Sequence, residues 1–134
     1  MTLLVRVLFY IQLLLGLGRF AGLVRSERIW ETHVIIGALV ALLAFVALRP
    51  RPGMPKPALR TAARLTPLLP FLTGLAIFTG ITGGRPFTLL HMALAVVALG
   101  LVEMAAASER KGAGGGGSPE RTEKPWTAHR ARGA

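Results

Sequence analysis

Two histidines, His33 and His91, are the residues of this chain whose type and spacing suit chemistry. Each stands at the start of a strongly apolar stretch, and those stretches are the second and fourth of four. If all four cross a membrane, the second and fourth run in the same direction. Both imidazoles then lie near the same face of the bilayer, on helices able to face each other across a bundle. That is the placement two axial ligands of a porphyrin iron require, and bundle cores commonly hold cofactors between facing helices. Positions four apart share a helix face, and four residues beyond the histidines stand Gly37 and Ala95. Small residues there leave room for a flat macrocycle. The plainer alternative is two histidines that hydrogen-bond headgroups or water at span ends. A zinc site would need further ligands, and Glu31 is the one carboxylate close in sequence. Met92 is adjacent to His91 and so points about 100° away around the helix, which suits packing.

The elements that must position these residues are written in the composition. Of 134 residues, 52% are hydrophobic, and the net charge is +10. Mean hydropathy is +0.55. The apolar residues come in long uncharged runs separated by short basic connectors, which is a membrane pattern. No cysteine is present, so disulfides, thiolate metal sites and cysteine catalysis are excluded. The positive charge reads as cytoplasmic loops near anionic lipid, with no nucleic-acid partner.

The first segment is Thr2 to about Phe20, with Arg6 able to snorkel. The connector Gly18 to Thr32 follows, with Trp30 as an interfacial aromatic. The second is His33 to Leu48, only 16 residues, so Trp30 to Thr32 must join it to complete a span. Arg49 to Arg64 is expected to be a basic loop, broken by Pro50, Pro52, Pro55 and Pro57. The third segment is about Leu65 to Ile81, with Pro67 and Pro70 in its first turn. After the turn Thr82 to Pro86 comes the fourth, Phe87 to about Ala107. The expected fold is all-α: an integral membrane four-helix bundle, up-down-up-down, over residues 1–107. Residues 108–134, Gly-rich and basic, are expected to form a disordered tail.

With four spans both termini lie on one side. That side carries Arg49, Arg51, Lys56, Arg60 and Arg64, so it reads as cytoplasmic and the protein as multi-pass in the cell (inner) membrane. The histidine side carries Arg19, Arg25, Arg28 and Arg85. Arginine pairs well with carboxylates, and Arg85, in the turn before His91, is the first candidate for a haem propionate; contact with lipid phosphate is the alternative. Arg6 and Glu103 either pair with each other or snorkel independently. Gly18-x-x-x-Gly22 and Gly80-x-x-x-Gly84 have the spacing of close helix contacts, and Gln12 is a lone mid-span amide expected to hydrogen-bond within the bundle.

The order IQLLLGLGRF, WETHVIIGALVALLAFVAL, a basic loop, then LPFLTGLAIFTGITGGRPFTLLHMALAVVALG resembles one four-helix half of the haem A synthase family, and small membrane b-type cytochromes, over roughly residues 8 to 105. In that family a histidine opening the second and fourth helix of each unit ligates haem, which the resemblance carries onto His33 and His91. The catalytic half of the family has Glu-x-x-His at the first histidine. Here the corresponding position is Trp30, and the outer-loop cysteine pair is absent. The resemblance therefore implies haem b held for electron transfer, or as a small respiratory-complex subunit, more than an enzyme in its own right. The alternatives are a haem-modifying enzyme and a cofactor-free four-span subunit or scaffold. The last resembles the DoxX type in length and in its early arginine. The expected partners are the lipid bilayer and a homodimer or larger membrane complex.

Overall fold

A computed structural model describes residues 2–50, 52 and 56–114, with side chains to Lys111. The helices are α1 (Thr2–Phe20), α2 (Glu27–Ala47), α3 (Pro57–Leu65), α4 (Leu68–Phe78) and α5 (Arg85–Gly114), and the described residues contain no strand. α3 and α4 are consecutive, and Pro57–Phe78 counts as one run. With α1, α2 and α5 it makes four helices long and apolar enough to cross a membrane. At 1.5 Å rise per residue, the 19 residues of α1 and the 21 of α2 span about 30 Å, the thickness of a hydrocarbon core.

Two boundaries move relative to the sequence reading, with consequences for the histidines. α2 begins at Glu27 and α5 at Arg85, so His33 and His91 each stand six residues after the start of their helix. Both therefore lie between one and two turns inside at the same register, rather than opening the helix. The expected loop to Arg64 ends instead at Lys56. Pro57 is the first residue of α3, where its missing N–H is one of the donors a helix start leaves unpaired anyway. Ala58 to Arg64 are mostly good helix formers and continue from it. The break comes one turn later. Pro67 and Pro70 have no N–H for the carbonyls of Ala63 and Thr66. The Thr66 carbonyl accepts from Leu69 N–H at 3.0 Å, a tightened turn that separates α3 from α4.

The closest packing lies toward the end of the molecule where α1 begins and α2 ends. Val5 and Phe9 of α1, Val40 and Ala44 of α2, Ala63 of α3, and Ala98, Val102 and Ala105 of α5 form one buried cluster with Leu48. Alanines at Ala44, Ala63, Ala98 and Ala105 let the helices approach closely, as membrane helices do. Large apolar side chains face outward on each of these four helices: Leu14 is 67% exposed, Ile35 68%, Leu72 58% and Val96 56%. So much outward apolar surface suits surroundings as apolar as the side chains themselves.

This end also carries paired charges. Arg6 Nε donates to Glu103 Oε1 at 2.6 Å, and the Tyr10 hydroxyl donates to the same oxygen at 3.3 Å. Of the two arrangements open for Arg6 and Glu103, the pair is the one formed. One turn and a half further along α5, Glu109 pairs with the buried Arg60 and accepts from the Thr2 hydroxyl at 3.5 Å. Arg64 lays its guanidinium over the Phe45 ring at 3.8 Å and donates to the Phe45 carbonyl at 2.7 Å. α5 runs on to Gly114, past the expected boundary at 107. The expected disorder of residues 115–134 lies outside the described residues.

A half-buried ion pair is best tested by removing one partner and then both. Glu103→Leu is expected to lower stability, because it leaves the Arg6 guanidinium at the edge of an apolar helix pair without its carboxylate. The double change Arg6→Leu with Glu103→Leu recovers most of that loss. Thermal unfolding in detergent reads both, and equal losses in the single and double variants would contradict the pairing.

Candidate cofactor site

Toward the other end the helices diverge around a cavity of about 470 Å³. His33 from α2 and His91 from α5 meet across it, ring centres 6.3 Å apart and planes at 65°. Each imidazole rests against a glycine of the preceding helix. A Cβ on Gly16 of α1 would stand 3.2 Å from His33 Cε1, and a Cβ on Gly74 of α4 would stand 2.7 Å from His91 Cε1. Real Cβ atoms do not reach 2.7 Å, so only glycine at 74 admits the ring as it lies.

With no side chain at Gly74, His91 reaches the α4 backbone. Its Nδ1 lies 2.8 Å from the Pro70 carbonyl oxygen and 3.4 Å from Thr73 Oγ1. A carbonyl only accepts, so this contact puts the proton on Nδ1 and leaves the lone pair on Nε2. That is how protein imidazoles are prepared for a metal: one nitrogen donates to a carbonyl, and the other is free to ligate. His33 is only 6% exposed, and its Nδ1 is buried without a hydrogen-bond partner. The indole of Trp30 stacks on it, centres 5.3 Å apart and planes within 8°. Gln12, the lone mid-span amide, donates to the His33 carbonyl at 2.8 Å, while its own Oε1 is buried without a partner. Two unsatisfied polar atoms in one apolar cavity cost free energy unless something answers them.

The expected site residues are brought together unevenly. His33, His91, Gly37 and Ala95 all line the cavity. The space beside Gly37 is shared with Gln12, whose Nε2 would lie 2.9 Å from a Cβ there. Arg85 is exposed at the start of α5 and does not line the cavity. Arg19 does, from the last turn of α1, with its guanidinium carbon 5.6 Å from the centre of the Trp30 ring. Among the described residues no group of three His, Cys, Asp or Glu is placed to hold a metal ion. A bare cation would therefore have two protein ligands, too few for the tetrahedral sites zinc prefers.

Gly16, Gly74 and Arg19 as a cavity residue are absent from the sequence reading, yet the chain carries a signal for the glycines. Gly16-Leu17-x-x-Phe20-x-Gly22 recurs as Gly74-Leu75-x-x-Phe78-x-Gly80, 58 positions later, and His91 follows His33 by the same interval. The geometry repeats with it. Gly22 and Gly80 have φ of 74° and 77°, left-handed values that glycine adopts freely. Gly22 N–H donates to Arg19 O at 3.0 Å and Gly80 N–H to Ile77 O at 3.2 Å; Val24 N–H donates to Gly18 O and Thr82 N–H to Ala76 O, both at 3.1 Å. Of the 22 residues lining the cavity, 20 form ten pairs related by that interval, Phe20 and Val40 being the exceptions. The chain is an internal repeat, one unit containing α1 and α2 and the other α3, α4 and α5, with the cavity between. Compared with known families, curated proteins and solved structures, the chain matches none.

Substitutions at glycine separate space from propensity. Gly74→Ala is expected to displace the His91 ring and break its bond to Pro70, read as a change in the imidazole nitrogen shifts by NMR. Gly100, which has nothing within 4 Å of an added Cβ, is the control. Gly100→Ala leaves those shifts alone and raises stability by about 0.5–1 kcal/mol, the helix-propensity gain. Unchanged His91 shifts in Gly74→Ala would contradict the packing described.

Proposed function

We propose that this chain is an integral membrane b-type haem protein, with His33 and His91 as axial ligands. It serves electron transfer, or acts as a small haem-bearing subunit of a respiratory assembly. The observation that carries this reading is the imidazole pair facing across the cavity, His33 buried and His91 half-buried, with His91 already held through Nδ1. His33 and His91, whose ring centres stand 6.3 Å apart across the cavity, are the residues that would hold the iron of such a group. A porphyrin brings its own in-plane nitrogens, so a pair of histidines suffices where a bare ion would need more ligands. The cavity volume falls within the ~300–1,000 Å³ of sites that take cofactor-sized ligands. When bound, the group supplies one-electron chemistry at its iron. The protein's part is to fix ring orientation through Pro70 and Trp30, to exclude water with apolar walls, and to set burial.

The same reading has four spans in an up-down-up-down bundle, both termini cytoplasmic, and the histidines near the extracytoplasmic face. The outward apolar surface and the basic residues around α3 support it. A second reading, a cofactor-free membrane subunit, is favoured by the contact between His91 and Pro70, since that bond by itself explains one histidine structurally.

A spectrum separates the two. Protein purified in detergent from cells supplied with haem is expected to show a b-type α band in the reduced-minus-oxidised difference. His33→Ala and His91→Ala each abolish or severely weaken it. Absence of the band in the wild-type protein would leave the cofactor-free reading. Topology is tested independently. The chain has no cysteine, so single cysteines at Ser26 and at Lys56 are expected to react with an impermeant thiol reagent from opposite sides of the membrane.

A further inference from the structure

The repeat makes it informative to ask where the two halves of the cavity differ. The histidines are matched, and Gly16 matches Gly74. The position of Arg19 in the first unit is Ile77 in the second, and that of Trp30 is Thr88. Among the described residues that line the cavity, Arg19 is the one Asp, Glu, Lys or Arg. Its guanidinium lies over the Trp30 ring, Trp30 stacks on His33, and the three form a column along one wall. A guanidinium over an indole is held in orientation by the ring face and keeps its N–H edge for an anion. Among the described residues its carboxylate contact is loose: Nη2 lies 3.4 Å from Oε1 of Glu27, whose side chain is 77% exposed. Charge pairing with a water-exposed carboxylate is weak, so the fork is available to a better-placed anion.

The geometry points to Arg19, backed by Trp30, as the group that holds an anionic arm, carboxylate or phosphate, of whatever fills the cavity. This rests on the proposed function where the arm is a porphyrin carboxylate; an anionic lipid whose phosphate enters the mouth presents the same chemistry. Because the second unit has isoleucine at the matching position, one arm is gripped. That gives the otherwise near-symmetric cavity a defined end for the charged edge of its occupant.

The test compares wild type, Arg19→Gln, Arg19→Lys and Arg28→Gln, the last an arginine nearby in sequence but off the cavity. Each is loaded with haem and, separately, with haem dimethyl ester, and transfer to apomyoglobin gives the release rate. Each is also placed in phosphatidylglycerol nanodiscs, and retained lipid is counted by native mass spectrometry after detergent transfer. For a porphyrin carboxylate, Arg19→Gln releases haem about five- to tenfold faster than wild type. Arg19→Lys falls between, because it keeps charge but loses the fork. The ester brings wild type to the Arg19→Gln rate and leaves Arg19→Gln unmoved. For a lipid phosphate, Arg19→Gln retains less phosphatidylglycerol, and haem and its ester are released alike. If Arg19→Gln matches Arg28→Gln in both arms, the inference is overturned while the haem reading stands. If wild type takes up no haem, the haem reading falls and the lipid arm alone decides.

Discussion

An imidazole buried among apolar side chains must spend its polar atoms on something, and that requirement organises this molecule. His91 meets it with the Pro70 carbonyl, reachable only because position 74 lacks a side chain. His33 is the more deeply buried of the two, is pressed against Gly16 and Trp30, and keeps one nitrogen unanswered. Leaving a polar atom unpaired in a low-dielectric interior carries a cost that packing alone does not offset. It also explains why small residues crowd this end. Each glycine that a ring occupies gives up favourable helix propensity to make room.

The two ends of the molecule do different work. Near the start of α1 the alanines of α2, α3 and α5 close the helices onto one another, and the acidic side chains Glu103 and Glu109 of α5 each meet an arginine. That end is satisfied and close-packed. Near the loops after α1 and α4, the same helices part around a cavity that holds two histidines and one arginine among apolar walls. A close-packed base with an open top lets a helical scaffold hold two side chains in register while leaving space between the rings.

Much of this was legible in the chain. Matching register of His33 and His91 follows from spans that alternate direction, and Gly37 and Ala95 follow from the four-residue spacing of one helix face. The Arg6–Glu103 pair was one of two arrangements open on grounds of depth. What escaped is physical in origin. Gly16 and Gly74 matter through contacts across helices, which no periodicity within one helix reveals. α3 looks like loop in the sequence because prolines break helices, although Pro57 sits where a helix tolerates one. Arg85 stood out by nearness to His91 in sequence. Arg19 reaches the cavity through the rotation of α1, which depends on packing. The 58-residue interval was present throughout, masked because outward positions exchange Leu, Ile, Val and Phe without consequence.

The interval carries one more implication, about ancestry. On the proposed topology each unit crosses the membrane twice and returns the chain to the side from which it entered. Tandem copying of such a hairpin leaves both copies the same way up, with no change of loop charge needed to reorient the second. A site assembled between two separate hairpins, one histidine from each, therefore survives their fusion into a single polypeptide. Once fused, the two copies are free to diverge independently. Arginine and tryptophan in one half against isoleucine and threonine in the other are the kind of difference that a homodimer, bound to identical subunits, is unable to evolve.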